Sequence, residues 1–326
     1  NYLVCAAINF DQGFELFDEI QEDAAGIHRD LFDWIDERGP FQFFGYVHYM
    51  EPHSPYDAPG EYRQHFDPDY VEQRDFGGPL PEHWRQGLID REFTEEQRDH
   101  LKNLYDAEIF YWDLQFRLLL DHLEKRGLLD NTVIVVTSDH GEEFFEHGGL
   151  GHGMKLFQET LHVPLIVVDP RARKGQRIAP QVSTAGLFNS VVRMMGFERP
   201  AFTQVAPFRG ESGNPEGHAQ VFSSTESHTT EAEARWASVI EGDQKVIRSM
   251  IDEESRLYDL KQDPLESIPL DGSFETEKQR LEQKLVEWYA ATAEAFPDEW
   301  QPTSEEIADR LRELGYVGST KEQPGK

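Results

Sequence analysis

Apolar residues along this chain recur with two different periods, and the pattern shifts after about residue 200. In the first part, residues 132–136 (TVIVV) and 163–168 (VPLIVV) are short apolar runs rich in β-branched side chains, the pattern of strands buried on both faces. Residues 2–8 and 43–48 (FFGYVH) read as further strands of that kind. Residues 95–126 place Leu101, Tyr105, Ile109, Trp112, Phe116, Leu119 and Leu123 at three- and four-residue spacing, which predicts a long amphipathic helix ended by Gly127. Shorter helices are predicted over 31–38, closed by Gly39-Pro40, and over 183–195, ended by Gly196. Strands separated by helices predict an α/β layer with a parallel, doubly wound sheet.

A Pro- and Gly-rich stretch at 200–217 follows, and beyond it the strands shorten. Residues 221–224, 236–240, 245–249 and 256–260 read as strands of a small antiparallel sheet, with Gly242-Asp243 as a tight turn. A helix is predicted over 274–293 and a last one over 305–314, before a loose tail at 318–326. The expected organisation is an α/β region over 1–205 and an antiparallel-sheet and helix subdomain over 206–326.

Composition narrows the partners. Asp and Glu total 62 against 31 Lys and Arg, a formal net charge of -31, so the basic surface needed for nucleic acid is absent. A hydrophobic content of 38% with 22 Phe argues against disorder. Such acidity suits a chain that works in high salt, where screening removes self-repulsion; an ordinary acidic protein is the alternative. One cysteine, Cys5, excludes an internal disulfide framework, and no apolar run reaches the length of a membrane span. Location stays open, with the single cysteine leaning towards the cytoplasm.

The candidate chemistry lies just after the 132–136 run. In doubly wound sheets ligands bind beyond the carboxyl ends of strands, which is where Asp139 and His140 fall. Adjacent oxygen and nitrogen ligands followed by Gly141 suit a divalent cation. An Asp-His pair capping the next helix is the alternative, and for two residues alone it is the stronger reading. The density of the stretch shifts the balance. His147, His152 and Lys155 follow in a loop that also carries Gly148, Gly149, Gly151 and Gly153, so anion donors sit where backbone approaches a ligand closely. His53, held between Pro52 and Pro55 in a stiff loop after the 43–48 run, is another candidate donor. His48 reads as a satisfied core histidine. Tyr62, His65 and Trp84, in a long excursion over 57–92, either touch a ligand or anchor the loop, and anchoring is the stronger reading.

Taken together, SDHGE at 138–142, HG at 147–148, GHG at 151–153, Glu159 and VPLIV at 163–167 resemble the sulfatases of the alkaline-phosphatase superfamily. PHSPY at 52–56, LYDAEI at 104–109 and LGYV at 314–317 extend the resemblance almost from end to end. It implies an alkaline-phosphatase-like, doubly wound, mostly parallel sheet with a small C-terminal α+β subdomain. It implies hydrolysis of a sulfate monoester carried on a small molecule or carbohydrate, with no membrane partner; oligomeric state is not read. Asp139 and His140 are then metal ligands, and His53, Lys155 and His152 contact the substrate, the last two competing for one family position. The metal implied is calcium first, with magnesium, manganese and zinc as alternatives. Tyr105, Asp106 and Glu108 read as structural.

The chain departs from the family in two places. Gly186 stands where an aspartate is usual, and no Cys or Ser begins a C/S-x-P-x-R motif, so the nucleophile that becomes formylglycine is not found. Residues 11–15 (DQGFE) match a segment inside the family's catalytic domain. The chain is therefore expected to start mid-domain, with the formylglycine in a missing N-terminal part. A phosphonate or phosphodiester hydrolase of the same superfamily, or a silent oxyanion-binding relative, are the alternatives.

Overall fold

The structure is a computed structural model that describes residues 10–20, 22–39, 41–68, 93–153, 155–172, 175–198, 207, 217–227 and 234–295. The expected strand at 2–8, most of the stretch at 200–217, Trp84, the helix at 305–314 and the tail at 318–326 lie outside these residues. The chain forms two compact units, whose described residues are 10–132 and 133–295.

The first unit is built on helices. Helix α1 (Ala24–Arg38) starts at Asp23, whose side chain accepts from the Gly26 N–H. After α2 (Gly60–Phe66), α3 (Glu95–Lys125) opens on a capping box in which Thr94 and Gln97 satisfy each other's backbone N–H groups. Ala24, Ala58, Ala107 and Tyr111 form the buried cluster, and small residues here let the helices approach closely. The Tyr111 hydroxyl donates to Asp23 Oδ2 at 2.6 Å, so α3 fixes the start of α1.

The expected strand at 43–48 is not a strand. The segment has no ladder pairing among the described residues, and Phe44 and Tyr46 are 51% and 59% exposed. An apolar run encodes a willingness to pair, not the partner.

The second unit begins with β1 (Ile134–Thr137), followed by the short hairpin of β2 (Glu143–Phe144) and β3 (Leu150–Gly151), the one-turn α4 (Gln158–Leu161) and β4 (Leu165–Val168). Strands β1 and β4 pair antiparallel, Ile134 opposite Val168 and Thr137 opposite Leu165. All strand pairs among the described residues are antiparallel, which corrects the parallel direction expected for these runs while leaving the α/β class in place. The runs mark strands but carry no sign of a neighbour's direction, and α/β sheets commonly include antiparallel strands. Burial on both faces is likewise not found, since Ile166 and Val168 are largely exposed.

Helix α5 (Leu187–Met194) leads to β5 (Gln220–Ser227), β6 (Ala234–Glu241), β7 (Gln244–Ser249) and β8 (Ser255–Asp259), a four-stranded antiparallel meander in chain order. The β6–β7 turn puts Gly242 at φ 61, as a two-residue hairpin requires. Helix α6 (Glu275–Ala295) lays Leu281 and Leu285 on Ala237, Val239, Val246 and Leu257. The opposite face carries Ile247 and Tyr258, which pack with Leu156, Phe157 and Leu161. The sheet is thus covered on both faces. Among the described residues no helix is long and apolar enough to cross a membrane.

Candidate functional site

Thr137 ends β1 with its hydroxyl on the Pro164 carbonyl at 2.8 Å, and the chain turns through Ser138, Asp139 and His140. Gly141 makes the turn possible: its N–H donates to the Thr160 carbonyl at 2.8 Å, and a Cβ there would overlap the backbone oxygen of Glu159.

Asp139 Oδ1 accepts from the His140 N–H at 3.1 Å and lies 3.7 Å from His140 Nε2. His140 Nδ1 lies 2.9 Å from the Gly141 carbonyl and donates to it, so Nε2 is the ring nitrogen on the carboxylate side. The carboxylate oxygen and this nitrogen lie close enough to share one cation. The donor set, one carboxylate oxygen and one imidazole nitrogen, therefore fits as part of a metal shell. No group of three or more His, Cys, Asp or Glu able to hold a metal occurs among the described residues, so these two are a partial set.

The His140 ring stacks on His152, centroids 3.7 Å apart. His152 Nδ1 in turn lies 2.9 Å from Oε1 of Glu142, a buried carboxylate that orients the ring. The structure thus brings Asp139, His140 and His152 together.

Lys155 is placed differently. Its Nζ donates to Glu143 Oε1 at 2.9 Å and to the His147 carbonyl at 2.6 Å, so two of its three donors are engaged within the loop. The same Glu143 oxygen accepts from the N–H groups of His147, at 3.1 Å, and Gly149, at 2.6 Å. Glu143 is therefore the hub on which the glycine-rich loop is wound. Gly148, Gly151 and Gly153 hold positive φ, as does Phe145 at 71°.

His147, a candidate donor by sequence, is enclosed. Its ring lies flat on Phe157 at 3.5 Å between centroids, with Nδ1 2.6 Å from Glu159 Oε1 and Nε2 3.2 Å from the Glu266 carbonyl. Sequence reasoning missed Glu142, Glu143 and Glu266. Charged residues in a polar loop read as solvated, and the sequence carries no periodicity that marks them as buried.

His53 belongs to the first unit, and the other four candidates to the second. Its Nδ1 lies 2.6 Å from the Ser54 carbonyl, and its N–H donates to the Met50 carbonyl at 2.6 Å. Carboxylates anchor both ends of this loop. Glu51 Oε1 accepts from the Ala24 N–H at 2.7 Å, and Glu108, buried on α3, accepts from the N–H groups of Asp57 and Ala58. Burial, and then the charge of Glu51, pushes the Glu108 carboxyl up to about 7. Tyr62 packs on Tyr111 and His65 stacks on Phe110, both within the unit, as loop anchors would. His48 is half-buried beside Tyr46 instead of lying in a core.

Residues 26–197, more than half of the 326, match the family model described as Sulfatase. Arylsulfatase K of Xenopus laevis is 26% identical over a 204-residue alignment that covers 59% of this chain and 38% of that protein. N-acetylglucosamine-6-O-sulfatase of Bacteroides thetaiotaomicron is 29% identical over 224 residues, 66% of this chain and 39% of that protein. The chain thus spans under two fifths of the length of these relatives. The crystal structure of the phosphonate monoester hydrolase of Agrobacterium radiobacter superposes with a TM-score of 0.68 at 20% identity, covering 83% of this chain and 62% of that one. That likeness is one of fold.

Proposed function

Because this chain belongs to the sulfatase family, we propose that it contributes the cation and oxyanion side of a site that hydrolyses a sulfate monoester. The observation that carries the proposal is the Asp139, His140 and His152 cluster at the end of β1. Asp139 and His140 supply two ligands to a divalent cation, calcium by preference for an oxygen-rich shell, with magnesium, manganese or zinc as competitors. Such a cation, when bound, supplies positive charge against the oxygens of the ester. His152, its Nδ1 held by Glu142, contacts the oxyanion through its ring in this reading. Its place against His140 favours it over Lys155, whose ammonium is tied to Glu143 and braces the loop. His53 keeps a substrate contact as a separate proposal with its own variant.

The ester is carried on a small molecule or sugar, in keeping with the N-acetylglucosamine-6-O-sulfatase relative. No C/S-x-P-x-R motif occurs in the 326 residues, so the nucleophile, a formylglycine in this reading, is not among the residues assigned.

Calorimetric titration with calcium chloride, then with sodium sulfate in its presence, tests the assignment. Calcium binding is expected to weaken at least tenfold in Asp139→Asn. Sulfate binding is expected to weaken in His152→Ala and His53→Ala. A wild-type chain that takes up neither ion would overturn the proposal, and tighter binding of a phosphonate monoester than of a sulfate monoester would favour the phosphonate hydrolase.

A further inference from the structure

The C-terminal sheet reaches the glycine-rich loop through charge as well as through packing. Lys245 on β7 and Glu266, in the turn after β8, are both fully buried, with Nζ 2.7 Å from Oε1. The two charged groups are in direct contact. Burial lowers the Lys245 ammonium and raises the Glu266 carboxyl, and each partner's charge opposes the other's shift.

Burying two charges is costly, and sheet packing alone does not call for it. The α6 face of the same sheet has an apolar core, with Glu241, Arg248 and Ser255 paired to polar side chains of α6 beside it. Lys245 lies on the other face, two residues along β7 from Ile247, which packs with Leu156. The side chains of the pair hold the start of α4, and the Glu266 backbone reaches the loop before it. Glu266 Oε2 accepts from the Gln158 N–H at 2.6 Å, and Lys245 Nζ lies 3.4 Å from Gln158 Oε1. The Glu266 backbone, at φ 52, turns its carbonyl onto His147 Nε2. Both ring nitrogens of His147 therefore face oxygen acceptors, Glu159 on one side and the Glu266 carbonyl on the other. The His147 carbonyl receives the Lys155 ammonium, and its N–H reaches Glu143.

We propose that Lys245 and Glu266 are positioning residues, whose buried pair fixes His147 and through it the loop that carries Lys155 and His152. The antiparallel sheet is then a working part of the loop. The functional half of this inference rests on the sulfatase reading; the positioning half does not.

The test uses the full chain labelled with 15N-histidine, comparing wild type with the Lys245→Met/Glu266→Gln double variant, which keeps volume and leaves no buried charge unpaired. Two signals are read: the His147 ring nitrogens by NMR, and sulfate affinity in the presence of calcium. The expected result is a double variant that keeps its circular dichroism, moves or broadens the His147 ring signals, and binds sulfate at least tenfold more weakly. Calcium affinity, which depends on Asp139 and His140, is expected to change less than threefold. Should the double variant unfold, Glu266→Gln alone decides by the same two signals. His147 signals and sulfate affinity at their wild-type values would sink the inference. If the wild type binds no sulfate, the functional half fails with the sulfatase reading, while the His147 signals still decide the positioning.

Discussion

Glu143 accepts from two backbone N–H groups and one ammonium through a single oxygen, so its removal has a calculable cost. Replacement by alanine leaves the His147 and Gly149 N–H groups without their acceptor. A bond to a charged group is worth roughly 1.5–3 kcal/mol, and an unsatisfied buried donor costs about 1–3 kcal/mol. The His147 N–H is only partly buried and can recover water, so the Gly149 donor dominates. The Lys155 side chain is 31% exposed, and solvent screening reduces its share to about 0.5–1 kcal/mol. Together these give about 3 kcal/mol for Glu143→Ala and about 1 kcal/mol for Glu143→Gln, which keeps an acceptor and loses the charge. Native-state hydrogen exchange at the Gly149 amide measures the local opening directly. The expected acceleration is on the order of 100-fold in the alanine variant and roughly fivefold in the glutamine variant, at about 1.4 kcal/mol per decade. Lys155→Met should match Glu143→Gln, and the double variant should add little to either. A Gly149 amide in Glu143→Ala that exchanges within about threefold of wild type would refute the hub.

Two further outcomes follow from single groups. Glu108, raised from 4.5 to about 7 mainly by burial, binds its proton more tightly folded than unfolded. Its contribution to stability is therefore full below about pH 4.5 and is lost as pH rises through 7. The denaturant midpoint of the first unit should fall across that window in wild type and stay flatter in Glu108→Gln; equal slopes would dismiss the assignment. Gly141→Ala sets a Cβ against the Glu159 carbonyl, a backbone atom that cannot rotate away. A loss of about 2 kcal/mol is expected, seen as a fall in Tm of roughly 5 °C, and an unchanged Tm would show that the turn relaxes freely.

Much of the fold was legible in the residues. The α3 helix was read to within a residue because its period runs through many turns and Gly127 marks its end. Strands β5–β8 were read because Gly242-Asp243 announces the hairpin and the apolar positions suit a covered sheet. The direction of β1 against β4 was not legible, since parallel and antiparallel neighbours select the same β-branched residues. Phe43, Phe44 and Tyr46 looked like a buried strand because burial belongs to the partner, which a local pattern does not name. At the site, Asp139, His140 and His152 were legible as histidines and a carboxylate at a strand's end. The Lys245–Glu266 pair was not, because residues 21 positions apart meet only once the meander folds, and both types are usually solvated.

Strand β7 presents Lys245 and Ile247 to one neighbour and Val246 to the other, so its two sides are not interchangeable. A single inserted or deleted residue within Gln244–Ser249 would move the ammonium onto the leucines of α6 and carry a valine to Glu266. A length change is expected to be tolerated better in turns such as 250–254, which pass between strands without choosing a face. The strand thus tolerates a change of residue better than a change of count, and the carboxylate opposite Lys245 serves as its register mark.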